Sequence, residues 1–265
     1  MFRPLQAAMK TTATVVFSLL LGSSAAFVPQ PRPPRGHDTH IQESMADLEV
    51  LAKKLNPLGY FDPLNLARGG NMWGQSEEFT IGFLRQSEIK HGRVAMAAFV
   101  GYCVQSNVKF PWPMTLGGEP FPSLELSPPE QWDALPIEAK LQIILFVGFL
   151  EFYSEISPAE GSEAGIPHYC KGGIPGKYPT FDAIPHPMPF KTLYDPFGLH
   201  KKMSEESKER RLLSEINNGR LAMLGIFGFL CAQTIPGSVP LLNGVVVPYA
   251  GEVMAPFEGD FDIVF

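Results

Sequence analysis

The chain has 265 residues, a formal net charge of -6 at neutral pH, 45% hydrophobic and 18% charged residues, and a mean hydropathy of +0.03. The acidic balance argues against a nucleic-acid binder, which needs a basic surface to displace counterions from phosphates; three scattered cysteines suit neither a zinc site nor a disulfide framework. With 26 prolines and 25 glycines the chain implies long non-helical connections, yet it is too apolar for disorder.

The first element is a leader. Lys10 precedes an uncharged run over residues 11–28 that includes Val15-Val16-Phe17 and the small residues Ser24-Ala25-Ala26, which suit signal-peptidase cleavage. Phe27-Val28-Pro29 then opens a segment with Arg32, Arg35, four prolines and no acid before Asp38. Residues 1–40 therefore read as a signal followed by a plastid-type transit segment, the alternative being a secretory signal with a proline-rich tail. Residues 41–265 form the mature domain.

Three later segments, near 78–106, 136–156 and 212–235, have helical apolar content and are separated by Pro- and Gly-rich loops. None is a clean hydropathy match to a span of about 20 apolar residues. They are buried helices of a bundle or spans that carry intramembrane charges. The cation distribution favours spans: residues 41–87 and 154–211 hold twelve Lys and Arg, whereas residues 107–140 and everything after Arg220 hold only Lys109 and Lys140. A positive-inside bias sorts cations in this way. The expected fold is an all-α membrane protein with three transmembrane helices, the first and third crossed and related by a pseudo-two-fold axis, and the N-terminus on the stroma-like side.

That relation comes from an internal repeat. Ser87-Glu88-Ile89-Lys90-His91-Gly92-Arg93-Val94-Ala95-Met96 aligns with Ser214-Glu215-Ile216-Asn217-Asn218-Gly219-Arg220-Leu221-Ala222-Met223, identical at seven of ten positions. Each copy follows a similar entry segment, Phe61-Asp62-Pro63-Leu64-Asn65-Leu66 in one and Tyr194-Asp195-Pro196-Phe197-Gly198-Leu199 in the other. A charge in an apolar setting must be paired, and two-fold symmetry predicts reciprocal pairs, Glu88 with Arg220 and Glu215 with Arg93. Gly92 and Gly219 allow close backbone approach. Each carboxylate keeps acceptor capacity, and His91 and Asn218 lie one turn along the same face. These charge-compensated Lewis bases suit a magnesium that has four ligands and needs one axial donor. Glu88-x-x-His91 also fits a carboxylate-bridged di-iron bundle, but the second copy has Asn218 where that chemistry requires His.

At these residues the sequence resembles the chlorophyll-binding light-harvesting antenna family. The two Glu-x-x-His/Asn-x-Arg copies, each followed by Ala-Met, carry the resemblance, which covers residues 61–240. It implies that Glu88, His91, Glu215 and Asn218 ligate chlorophyll magnesium, that Arg93 and Arg220 complete the ion pairs, and that segments at Asp62 and Leu66 and at Asp195 and Leu199 hold carotenoid head groups. Gly148-Phe149-Leu150-Glu151 resembles the family's Glu-ligand segment and makes Glu151 a further magnesium ligand. The candidate glutamine ligands of chlorophyll depart from the family spacing: Gln142 precedes Glu151 by nine residues against eight, and Gln233 follows Asn218 by fifteen against fourteen, with Ala232 in the usual place, so the chlorophyll there is either absent or held by water. The second copy and Ile235-Pro236-Gly237-Ser238-Val239-Pro240 look most like antennae of algae with red-lineage plastids. This implies chlorophyll a, chlorophyll c and a fucoxanthin-type carotenoid or peridinin as cofactors. The implied setting is the plastid thylakoid membrane, with thylakoid lipid, a photosystem core, photosystem I by preference, and neighbouring antenna subunits as partners. No catalytic activity and no nucleic acid are expected. The competing readings are a photoprotective quencher, whose acid sensors would be Glu252, Glu258, Asp260 and Asp262, and a pigment-free scaffold.

Overall fold

The structure, a computed structural model, describes residues 44–68, 74–156, 168–178, 202–253 and 255–257. The expected leader at 1–40 and the entry segment with Asp195 and Leu199 lie outside the described residues. Among the described residues there are helices and turns but no strand.

Local sequence explains where each helix starts. Helix α1, Met45–Leu55, begins at the Ser44 cap, whose hydroxyl accepts from the Asp47 N–H while the Asp47 carboxylate accepts from the Ser44 N–H, and it ends at Asn56. Helix α2, Glu77–Asn107, opens on the Ser76 hydroxyl, which accepts from the Phe79 N–H at 3.2 Å, and places Glu77 and Glu78 on the positive end of the helix dipole. Helix α3, Pro128–Asp133, is a short turn with a Ser127–Glu130 capping box and proline in its first turn. Helix α4 is Ile137–Ile156. Helix α5, Glu205–Thr234, repeats the Ser-Glu-Glu opening with Ser204 accepting from the Ser207 N–H, and it stops before Pro236 and the left-handed Gly237.

The expected three transmembrane helices, and with them the multi-pass thylakoid placement, are corrected by these elements. Among the described residues no helix is long and apolar enough to cross a membrane. Length is not what fails: α2 has 31 residues and α5 has 30, about 45 Å each at 1.5 Å per residue. Continuous apolarity is what fails. Uncharged runs extend only from Val94 to Asn107 in α2, from Leu141 to Leu150 in α4 and from Leu221 to Thr234 in α5, each short of the about 20 residues a bilayer core requires. Helices occupy the three apolar segments, but α5 begins at Glu205, ahead of the expected 212, because its charged first two turns carry no apolar signal.

The chain divides into two compact units, each discontinuous in sequence. Of the described residues, one unit takes Ala97–Leu145 and those from Leu224 onward, and the other takes those up to Met96 together with Phe146–Met223. In the first, Phe229 stacks on Phe99 and Tyr102 with centroids 5.1 and 4.7 Å apart. Its closing segment is held by Tyr249, whose hydroxyl donates to Asp133 at 2.7 Å and whose N–H donates to the Gln233 carbonyl. Among the described residues the buried apolar side chains are few, and half are alanine: Ala52, Ala67, Ile81, Ile89, Ala95, Ile216, Ala232 and Tyr249. Large apolar side chains lie instead on the helix surfaces, among them Phe146, Val147, Phe149 and Phe152 on α4.

Candidate functional site

The repeat residues meet in the second unit. A Cβ built on Gly219 would lie 2.9 Å from the Gly92 Cα, and one on Gly92 would lie 3.1 Å from the Gly219 Cα. The two backbones are thus in direct contact at equivalent positions, with no side chain between them. Ile89 and Ile216, also equivalent, are buried beside this contact.

Around the glycines the two expected ion pairs are formed. Glu88 Oε1 accepts from Arg220 Nε at 2.7 Å and lies 2.6 Å from Nη2, and Glu215 Oε1 accepts from Arg93 Nε at 2.5 Å. Each guanidinium has a second anchor that the repeat did not reveal. Arg93 Nη1 donates to the Gly176 carbonyl at 2.6 Å, and Arg220 Nη1 donates to Asn56 Oδ1 at 2.9 Å. Gly176 has φ +79° and no room for a side chain, since a Cβ there would come within 2.9 Å of Ile89. Its N–H donates to Gln86 Oε1. The Pro175-Gly176 dipeptide signals a turn in the sequence, but nothing in it says which helix that turn docks on.

The carboxylates are not identical. Among the described residues Glu215 Oε2 takes no hydrogen bond. Glu88 departs from the expected spare acceptor: its Oε2 accepts from the buried Arg85, one turn back on the same helix, at 2.5 Å. The i,i+3 spacing of Arg85 and Glu88 was legible in the sequence.

His91 and Asn218 are both exposed, and each is tied back four residues. His91 Nδ1 lies 2.8 Å from the Ser87 carbonyl, which can only accept. Nδ1 therefore carries the proton, and in the neutral ring Nε2 keeps its lone pair for a ligand, the arrangement of a metal-binding histidine. Asn218 Nδ2 donates to the Ser214 hydroxyl at 3.4 Å, leaving the amide oxygen outward. One turn further on the same faces lie Val94 and Leu221, 64% and 51% exposed. The donor chemistry and its apolar surroundings fit a chlorophyll: a neutral or charge-compensated axial base beside a surface that a flat apolar macrocycle can cover.

Glu151 lies near the end of α4, and its Oε2 is 2.5 Å from Lys90 Nζ on α2. No pattern in the sequence linked these residues, which are 61 positions apart. Gln142 and Gln233 belong to the first unit. Gln142 is exposed on α4. Gln233 is fully buried, and its Oε1 accepts from the Tyr102 hydroxyl at 3.0 Å.

Asp62 organises its own turn. Its carboxylate accepts from the Leu66 and Ala67 N–H groups, both at 3.0 Å, and from the Tyr60 hydroxyl at 2.9 Å, around an Asn65 with φ 51°. Burial pushes the Asp62 carboxyl up, but the Ala67 and Leu66 N–H groups, the Tyr60 hydroxyl and the Arg68 charge outweigh it and hold its pKa below the ordinary 3.8. The turn thus favours the ionised form. Its contribution is complete above the unfolded value and is lost as pH falls through the lower folded value. In a titration of the denaturation midpoint between about pH 6 and pH 2, Asp62→Asn is expected to lower the midpoint at the upper end and to reduce the fall at the acid end. Superimposable curves for the two proteins would contradict this.

Comparison with known proteins agrees with the paired motif. Residues 48–234 match the chlorophyll A-B binding protein family. The chain is 30% identical over 236 residues to the chloroplastic fucoxanthin-chlorophyll a-c binding protein of Trieres chinensis, covering 86% of this chain and 97% of that protein. It is 32% identical over 224 residues to fucoxanthin-chlorophyll a-c binding protein F of Phaeodactylum tricornutum, covering 83% and 94%. Protein D of Macrocystis pyrifera is 29% identical over 206 residues, covering 76% and 93%.

Proposed function

The chain belongs to the chlorophyll A-B binding protein family, and from that premise we propose that it is a light-harvesting antenna subunit of a plastid, passing excitation energy to a photosystem core through neighbouring antenna subunits. Members of the family harvest light without catalysing a reaction, and this chain is not an enzyme. Its pigments are chlorophyll a, chlorophyll c and a fucoxanthin-type carotenoid, in keeping with the names of its relatives. Residues 1–40 serve as the targeting leader.

One observation carries this reading. Two sets of bases at equivalent repeat positions, Glu88 with His91 and Glu215 with Asn218, are charge-compensated across a glycine contact and flanked by exposed apolar residues, Glu88 carrying Arg85 as a second cation. Glu88, His91, Glu215, Asn218 and Glu151 hold chlorophyll by its magnesium; exposed Gln142 is one residue out of register for that role, and Gln233, buried with its amide oxygen engaged by Tyr102, takes no part in it. The segments at Asp62 and Leu66 and at Asp195 and Leu199 hold carotenoid head groups. Bound chlorophyll supplies the visible absorption and the excited state. The chain supplies fixed positions: Arg93 and Arg220 neutralise the carboxylates and tie each helix to its partner and to a loop, Ser87 fixes the His91 tautomer, and the exposed aliphatic residues one turn away exclude water from the base.

The test is to refold the full chain with chlorophylls a and c and fucoxanthin, isolate it and extract the pigments. His91→Leu is expected to retain one chlorophyll fewer per chain and to leave the others in place. An unchanged count removes His91 from the ligand set, and a colourless wild-type protein refutes the function.

A further inference from the structure

Beyond the two ion pairs of the repeat, the structure holds a third carboxylate of the ligand class with a cation from another helix. Lys90 Nζ is 2.5 Å from Glu151 Oε2 and 3.7 Å from Glu155 Oε1. Glu155 is already engaged: His168 Nε2 is 3.0 Å from its Oε2, and the Tyr169 hydroxyl donates to the same carboxylate at 2.9 Å. Cys170 N–H donates to His168 Nδ1, so Nε2 of the neutral ring carries the proton that faces Glu155. Lys90 is therefore left to Glu151, whose Oε1 takes no hydrogen bond among the described residues. The second copy has Asn217 at the position of Lys90. This is one of the three places where the copies differ, and here a cation stands in place of an amide.

We propose that Lys90 is the positioning residue that makes Glu151 a serviceable magnesium ligand by neutralising it across α2 and α4, a role that rests on the reading of Glu151 as a ligand given above. The physical need is specific to a loaded protein. Glu151 is about half exposed by itself, and water solvates its charge. It stands on a helix whose neighbouring residues Val147, Phe149 and Phe152 are exposed and apolar, the surface that pigment covers. Once that surface is covered, an unpaired carboxylate loses its hydration without compensation. Lysine meets the need as a point charge at the end of a flexible stem, reaching from α2 to α4, where arginine serves the α2–α5 pairs through a fork with two anchors.

The experiment compares chlorophyll per chain in full-length protein refolded with chlorophyll a and fucoxanthin. Lys90→Met is expected to lose one chlorophyll, and Lys90→Arg to keep it. Glu151→Gln supplies a neutral ligand that needs no cation, so Lys90→Met combined with Glu151→Gln is expected to retain as much chlorophyll as Glu151→Gln alone. If the double variant loses the chlorophyll that Glu151→Gln keeps, Lys90 acts by packing and the proposal is overturned. It is overturned equally if Lys90→Met keeps the full count. A Glu151→Leu protein with a full complement shows a different failure, that Glu151 is no ligand, while loss of every pigment in the wild type refutes the antenna reading itself.

Discussion

Arg93→Leu is expected to destabilise the chain by about 2–3 kcal/mol and to reduce pigment retention at more than one position. The substitution removes two anchors at once. Glu215, with a side chain 24% exposed, loses its cation among the described residues, and the Gly176 carbonyl loses the donor that fixes its turn over Ile89. Removing one partner of a fully buried pair costs roughly 3–5 kcal/mol, while an exposed pair is worth about 1 kcal/mol or less. The partial exposure of both partners puts this pair between those limits. Leucine approximates the aliphatic stem of arginine, so the loss reports charge and hydrogen bonding more than volume. Urea denaturation of the pigment-loaded protein measures the first effect and pigment extraction the second. A variant with wild-type values in both would show that the ion pair does not hold the two helices.

The second large effect is expected at the glycine contact. The atom that a Gly219 side chain meets is the Gly92 Cα, at 2.9 Å, and a backbone atom cannot rotate away. Gly219→Leu must therefore separate α2 and α5, and overpacking of this kind costs about 1–3 kcal/mol or more. Gly219→Ala tests the balance more finely. Alanine gains roughly 1 kcal/mol in helix propensity, so the net loss should be smaller while keeping the same sign. Separation also acts on the neighbouring residues, since Arg220 reaches Glu88 at 2.6 Å only while the backbones touch. The expected results are a lower urea midpoint and loss of chlorophyll from both repeat sets together. A gain in stability for Gly219→Ala would mean that the helices part at little cost.

The sequence made the repeat legible because its two copies align without a gap, and pairing followed from symmetry: two carboxylates and two guanidiniums at equivalent places on two helices that touch leave few other arrangements. The glycine contact followed from the same alignment. The second anchors of the arginines were not legible, because Asn56 and Gly176 belong to segments whose docking is set by tertiary packing. The Lys90 to Glu151 pair was hidden for the same reason, although the departure of Lys90 from Asn217 marked the position. The membrane reading failed at a particular step. Cations sorted along the chain do not make spans of helices whose apolar runs are bounded by charge: Glu88, Lys90 and Arg93 in α2, Glu138, Lys140 and Glu151 in α4, and Glu215 and Arg220 in α5 leave no described helix long and apolar enough to cross a membrane.

The central claim is that these helices hold chlorophyll and carotenoid in fixed relation so that excitation passes between them. Its most direct test is the fluorescence excitation spectrum of the refolded, pigment-loaded protein, read at the chlorophyll a emission and set against its absorption spectrum. The account predicts that the carotenoid and chlorophyll c bands appear in both spectra with the same relative heights. Emission excited through the chlorophyll a bands alone, from a protein that carries all the pigments, would contradict it.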